Sequence, residues 1–117
     1  NLKIADLEKK ELQRVDQQKK KVEVKLISED EILKARVAEL YSKSLEKYNN
    51  RNYSESINLL QQALRIDPNN FLILSRLGSV YYTYGFMDHA AYYWKKAHQI
   101  EPNSPELKDI KEFISRY

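Results

Sequence analysis

His89 and His98 are the only histidines in the chain, nine positions apart. Two histidines that share a metal ion on one helix stand at i and i+4, so that both imidazoles reach it from one face. This pair does not, and no metal site is expected. There is no cysteine, which removes disulfides, thiolate catalysis and cysteine-ligated zinc, and does not choose between the cytosol and an oxidising compartment. Carboxylates are plentiful but scattered as helix-surface charges. No nucleophile, base and orienting group fall together, and neither a glycine-rich phosphate loop nor a His-Glu-x-x-His motif is present. The chain is therefore read as non-enzymatic, with no catalytic residues and no cofactor.

The aromatic residues Tyr81, Tyr82, Tyr84, Tyr92, Tyr93 and Trp94 raise the question of base stacking. A stacking site needs cations along the path of the nucleic-acid backbone, and only Lys95 and Lys96 lie close by. Charge argues the same way. Residues 1–26 hold eight Lys/Arg against five Asp/Glu, and residues 27–117 hold twelve of each. The basic excess sits in the leader, mainly at Lys19, Lys20 and Lys21, where a solvated helix face or linker accounts for it. No nucleic-acid partner is expected. No apolar run approaches the ~20 residues that span a bilayer. The chain opens on Asn1 rather than methionine and is read as a trimmed piece, so a signal or anchor is not excluded and the compartment stays open.

Five Gly and Pro positions among 117 residues, with many strong helix formers, predict an all-α fold. In the leader, Leu12, Val15, Lys19, Val22 and Leu26 follow the 3-4 spacing of a coiled-coil seam, which Lys19 interrupts. Val22 to Leu26 alternates instead, as an extended segment does. Ser28 with Glu31 makes a capping box, and Ile27 with Ile32 a hydrophobic staple, for a first long helix ending around Asn49 to Asn52, where asparagines compete with the helical backbone and tolerate a left-handed turn. Ser54 is expected to cap the second helix, which Pro68 ends. A third spans about 72–84 and is closed by Gly85 in the left-handed conformation. Asp88 is expected to cap the fourth. Ser104 and Pro105 open a last helix striped with Leu107, Ile110, Phe113 and Ile114. Five helices are thus expected after residue 28, as two antiparallel pairs and a cap.

The second pair carries Leu74-x2-Leu77-Gly78-x2-Tyr81, then Ala90-x3-Trp94, then Pro102. A weaker copy stands one period upstream: Ala63-Leu64-x-Ile66-Asp67-Pro68-Asn69 aligns with Ala97-His98-x-Ile100-Glu101-Pro102-Asn103. Over residues 37–104 the chain resembles the tetratricopeptide repeat, a helix pair of about 34 residues closed by proline. The resemblance implies a TPR-like α-solenoid. Its segments are a leader (1–27, helical or partly extended), a first repeat with an extended helix (28–70), a second repeat (71–104) and a capping helix (105–117). Small residues, Gly78 and Ala90, are expected where helices approach closely, with Ser44 and Ser56 as their counterparts. Lys43 and Lys47 depart from the pattern and are expected in solvent.

The resemblance also implies a concave groove lined by the first helix of each repeat. By position its lining is Ala38, Tyr41, Leu45, Tyr48, Asn49, Leu72, Ser75, Arg76, Ser79, Tyr82 and Thr83. Tyr41, Leu45, Tyr48, Leu72, Ser75, Arg76, Ser79 and Tyr82 are the expected partner-binding residues. One variant of the repeat grips terminal carboxylates with Lys and Asn. Tyr41, Leu45 and Arg76 stand at those positions, so only Arg76 offers an anion partner. The expected function is a protein-binding adaptor taking a peptide or amphipathic helix on an apolar, aromatic surface. The alternative is an oligomeriser in which residues 1–26 self-associate and the repeats extend the assembly.

Overall fold

The computed structural model describes residues 4–14 and 27–117. The chain divides into two units, Asn1–Ile32 and Leu33–Tyr117. In the first, residues 4–14 form a helix, α1, on which Ile4, Leu7 and Leu12 are all exposed. Of the expected seam only Leu12 is described. Val15, Lys19, Val22, Leu26 and the alternating segment lie outside the described residues.

Helix α2 is Glu29–Asn49. Ser28 Oγ accepts from the Glu31 N–H at 3.2 Å, as a capping serine does. Ile27 and Ile32 stay exposed, so the expected staple buries little. Beyond α2 run α3 (Tyr53–Ile66), α4 (Phe71–Tyr84), α5 (Met87–Ile100), a 3-10 helix (Pro105–Ile110) and α6 (Lys111–Ser115). The described residues contain no strand. The fold is an all-α, TPR-like solenoid.

Its core is written twice, one repeat apart. One cluster buries Leu40, Leu60, Ala63 and Ile73, with Leu77 and Val80. The other buries Leu74, Trp94, Ala97 and Leu107, each one full repeat beyond its counterpart, with Ala90 and the half-buried Ile110, Phe113 and Ile114. The 3-10 helix and α6 thus stand where the first helix of a further pair would. Each fully buried Leu or Ile contributes roughly 1.5–3 kcal/mol relative to exposure, so each cluster alone is small and the shared α4 joins them.

The small residues lie where the helices meet. A Cβ on Gly78 would collide with the Trp94 indole. In the first pair Ser44 and Ser56 are fully buried, and Ser56 Oγ donates to the Ser44 carbonyl at 2.9 Å. A buried serine is tolerated there because its hydroxyl finds a carbonyl. Lys43 and Lys47 reach Glu39 and Glu55 at 2.9 and 3.2 Å across exposed surface.

Four terminus expectations are corrected. Helix α3 starts one residue before Ser54, and its cap is Asn52, which accepts from the Glu55 N–H. Helix α5 starts at Met87, so Asp88 lies inside its first turn and Phe86 holds the cap position with no side-chain bond. The left-handed residue after α2 is Arg51 (φ 62°), not an asparagine. Asn52 N–H reaches back to the Lys47 carbonyl at 2.8 Å and Arg51 N–H to that of Tyr48 at 3.0 Å. These two bonds fix which residue must turn left-handed. Gly85 (φ 97°) does the same after α4, as expected. The last helix begins as 3-10 rather than α: Ser104 makes no side-chain cap bond, and its carbonyl takes the Leu107 N–H at 3.2 Å. A tighter turn is how an uncapped start satisfies its donors.

Candidate functional site

Helices α2 and α4 set half-buried residues and the exposed Leu72 side by side. Tyr41 on α2 and Leu72, Ser75, Arg76 and Ser79 on α4 surround a cavity of about 130 Å³. Its remaining wall is Trp94 with Glu106, Leu107 and Ile110 of the 3-10 helix. The sequence pattern assigns Leu107 and Ile110 to a capping stripe alone and misses that they wall the groove. The one-repeat offset from Ile73 to Leu107 is the signal that finds them.

The polar atoms of this cavity are arranged around Ser75. Its carbonyl accepts from Trp94 Nε1 and from Ser79 Oγ, each at 3.1 Å. Its own hydroxyl is buried and has no partner among the described residues. A buried hydroxyl without a partner costs about 1–3 kcal/mol. The Arg76 guanidinium sits 6.0 Å from the centre of the Tyr41 ring, at the outer limit of cation–π attraction.

The other expected residues lie around rather than in this cavity. Tyr82 is 48% exposed, with its ring 5.6 Å from Trp94 and 5.5 Å from Phe113. Tyr48 shares a 3.1 Å hydrogen bond with Thr83 Oγ1, linking α2 to α4. Leu45 is half-buried, and Ala38 and Asn49 are exposed. On the opposite side of α4, Tyr81 stacks on Tyr93 with planes 3° apart and centroids 5.6 Å apart. Burial raises the Tyr81 phenol above its ordinary pKa, because a phenolate is poorly solvated there. Gln61 Nε2 donates to the Tyr93 hydroxyl at 2.6 Å.

The described residues hold no group of three His, Cys, Asp or Glu side chains that could bind a metal ion. His98 is half-buried on α5, its Nδ1 without a partner among the described residues. No described helix is long and apolar enough to cross a membrane.

No curated protein matches the chain. Residues 45–85 match the family model described as "TPR repeat". That match runs from the second half of α2 through α3 and α4 to Gly85. Over those residues the chain is similar to the tetratricopeptide repeat, and the core written twice in one register, with turns at Pro68 and Pro102, carries the same two-helix architecture on through α5.

Proposed function

We propose that this chain is a non-enzymatic adaptor that takes a partner peptide or amphipathic helix in the groove between α2 and α4. TPR repeats generally mediate protein–protein interaction. The observation that carries the finer reading is the cavity of about 130 Å³ beside the unpartnered Ser75 hydroxyl. Its size is close to the roughly 150 Å³ void left when a buried leucine is cut to alanine, so it suits one aliphatic or small aromatic anchor. Leu72, which lines it, and Tyr82 beside it are exposed and add apolar area along the groove. Tyr41, Leu45, Tyr48, Ser79 and Arg76 complete the proposed partner-binding set.

Aromatic and aliphatic anchors in desolvated pockets carry most interface energy, often about 2 kcal/mol or more each. Binding therefore depends on Tyr41, Leu72 and Tyr82 more than on Arg76, and changes little with salt. A partner recovered by pull-down is titrated against the parent, Leu72→Ala, Tyr82→Ala and Arg76→Ala at low and high ionic strength. Loss of affinity confined to Arg76→Ala, with a steep salt slope, refutes the apolar-anchor reading in favour of an acidic ligand.

The exposed Ile4, Leu7 and Leu12 of α1 support the second reading, self-association through residues 1–26. Sedimentation of residues 1–117 against 28–117 tests it. A monomer at all concentrations for both refutes it.

A further inference from the structure

A second, more open depression lies beside the cavity. Phe71, Leu72 and Ile100 give it apolar walls, and its charged lining residues are Glu101 and Glu106. It shares Leu72 and Glu106 with the cavity between α2 and α4, so the two are neighbours. Leu72 and Ile100 are both exposed.

The two carboxylates are also exposed, and neither forms an ion pair among the described residues. The equivalent positions one repeat earlier are used differently. Asp67, the counterpart of Glu101, accepts from Asn70 Nδ2 at 3.0 Å. In the second repeat Ser104 stands in place of that asparagine, and Glu101 is left without the bond. The counterpart of Glu106 is Leu72, so a carboxylate here replaces an apolar residue. Two like charges on one depression raise each other's energy and gain from a cation between them. A calcium-like ion takes six or more oxygen ligands, and the described residues hold no group of three acidic or histidine side chains that could bind a metal. The fitting cation is an organic one. Lys and Arg lay their methylenes along apolar surface and keep the charged head in water. Phe71, Leu72 and Ile100 offer that surface, and Glu101 and Glu106 the counter-charge.

We infer that the groove's partner is a basic amphipathic segment: an aliphatic side chain enters the cavity, and a Lys or Arg one helical turn away lies in the depression beside Glu101 and Glu106. This rests on the groove reading above and names its ligand chemistry. Helical residues three or four apart hold their Cβ atoms about 5–6 Å from each other, which suits two sites separated by one leucine side chain. Arg76 lines the cavity and not the depression, and it rests against the Tyr41 ring. Exposed ion pairs are each worth little. The carboxylates therefore choose between partners, while the cavity supplies most of the affinity.

The test titrates the full chain with two peptides of about fifteen residues, long enough to hold a helix. Both share one leucine face. One carries lysines a turn from the central leucine, the other glutamates there, and methyl NMR follows Leu72, Ile100 and Ile110. The lysine peptide should bind about fivefold tighter or more at low ionic strength, and the ratio should fall toward one as salt rises. The chain's net charge is +3, so unspecific attraction favours the glutamate peptide and does not mimic this result. Glu101→Gln with Glu106→Gln, both surface positions, should abolish the preference and leave the shifts at Leu72 and Ile110 in place. Equal binding of the two peptides with those shifts overturns the basic ligand and leaves the groove reading standing, as does a preference that survives the double substitution. Tighter binding of the glutamate peptide overturns it in favour of an acidic ligand at Arg76. No shift at Leu72 or Ile110 with either peptide overturns the groove and the basic ligand together.

Discussion

The two helix pairs solve one packing problem with different residues, and exchanging the solutions measures how tightly each is tuned. In the second pair the Trp94 ring lies over Gly78, with no room for a Cβ. In the first, Leu60 and Ser44 stand at the same positions and both are fully buried. Gly78→Ser alone drives a Cβ and hydroxyl into the indole, and overpacking of this kind costs ~1–3 kcal/mol. Trp94→Leu alone loses much of a ring that is only 6% exposed, and with it the Nε1 bond to the Ser75 carbonyl. That is about 2–4 kcal/mol, below the ~3–5 kcal/mol of a full truncation to alanine. In the double variant a serine faces a leucine, as in the first pair, and the overpacking vanishes. The double should thus cost about the same as Trp94→Leu alone, a coupling of ~1–3 kcal/mol. It is not neutral, because Tyr82 and Phe113 still lose the indole whose ring centre lies 5.6 and 5.4 Å from theirs. Urea melts of the four proteins followed by circular dichroism read the cycle. Additivity within about 0.5 kcal/mol would refute the ring-over-glycine account.

Arg51 holds a left-handed φ of 62° that a side chain disfavours, and Gly85 holds the equivalent position in the next repeat. Arg51→Gly should raise stability by up to about 1 kcal/mol, and Gly85→Ala should lower it by about as much, in thermal melts. Ser75→Ala removes a buried hydroxyl that has no partner among the described residues, so it should leave the free protein as stable or more stable by about 1 kcal/mol while weakening any partner that bonds that hydroxyl. Tyr81 has its pKa raised, chiefly by burial. A raised folded pKa means that its contribution is fully present below the ordinary tyrosine value of about 10 and is lost as pH rises above it. Tyr81→Phe should therefore flatten the alkaline limb of a stability-against-pH curve, measured by chemical denaturation.

The helix pairs were legible because their signals are redundant. Pro68 and Pro102 keep the residue before each out of the helical region, and Asp67 and Glu101 take nearly the same angles, φ −132° and −129° with ψ 81° in both. Leu77, Gly78, Ala90 and Trp94 were legible as core because size alternates across a close contact. The caps were not. Ser54 and Asp88 are good capping residues by type, but cap choice is settled where the preceding helix ends. The backbone bonds that close α2 and α4 place Asn52 and Phe86 one residue before the next helix begins. The cavity was half legible. Position along the repeat named Tyr41, Leu72, Ser75, Arg76 and Ser79, yet the wall from Glu106, Leu107 and Ile110 depends on a 3-10 start that a helical pattern does not specify. The unpartnered Ser75 hydroxyl was beyond reach, since satisfaction is a property of neighbours in space.

The same repeat offset says which surfaces are left for partners. On α4, Ile73, Leu77 and Val80 face the preceding pair and are buried. Their counterparts on α2 are Glu39, Lys43 and Glu46, all exposed. Lys43 and Arg36 bind Glu39 at 2.9 and 3.3 Å, and the hydrogen bond and charge of Lys43 hold its carboxyl below the usual range. At the other end, Leu40 and Ser44 on α2 and Leu74 and Gly78 on α4 are buried under the next helices. The next positions in that series are Lys108 and Glu112, again exposed and charged. Seating another pair on these charged positions in the same register would strip the charges of their water. Lateral surfaces remain. At the groove, Leu72 and Tyr82 expose apolar area that the core does not use.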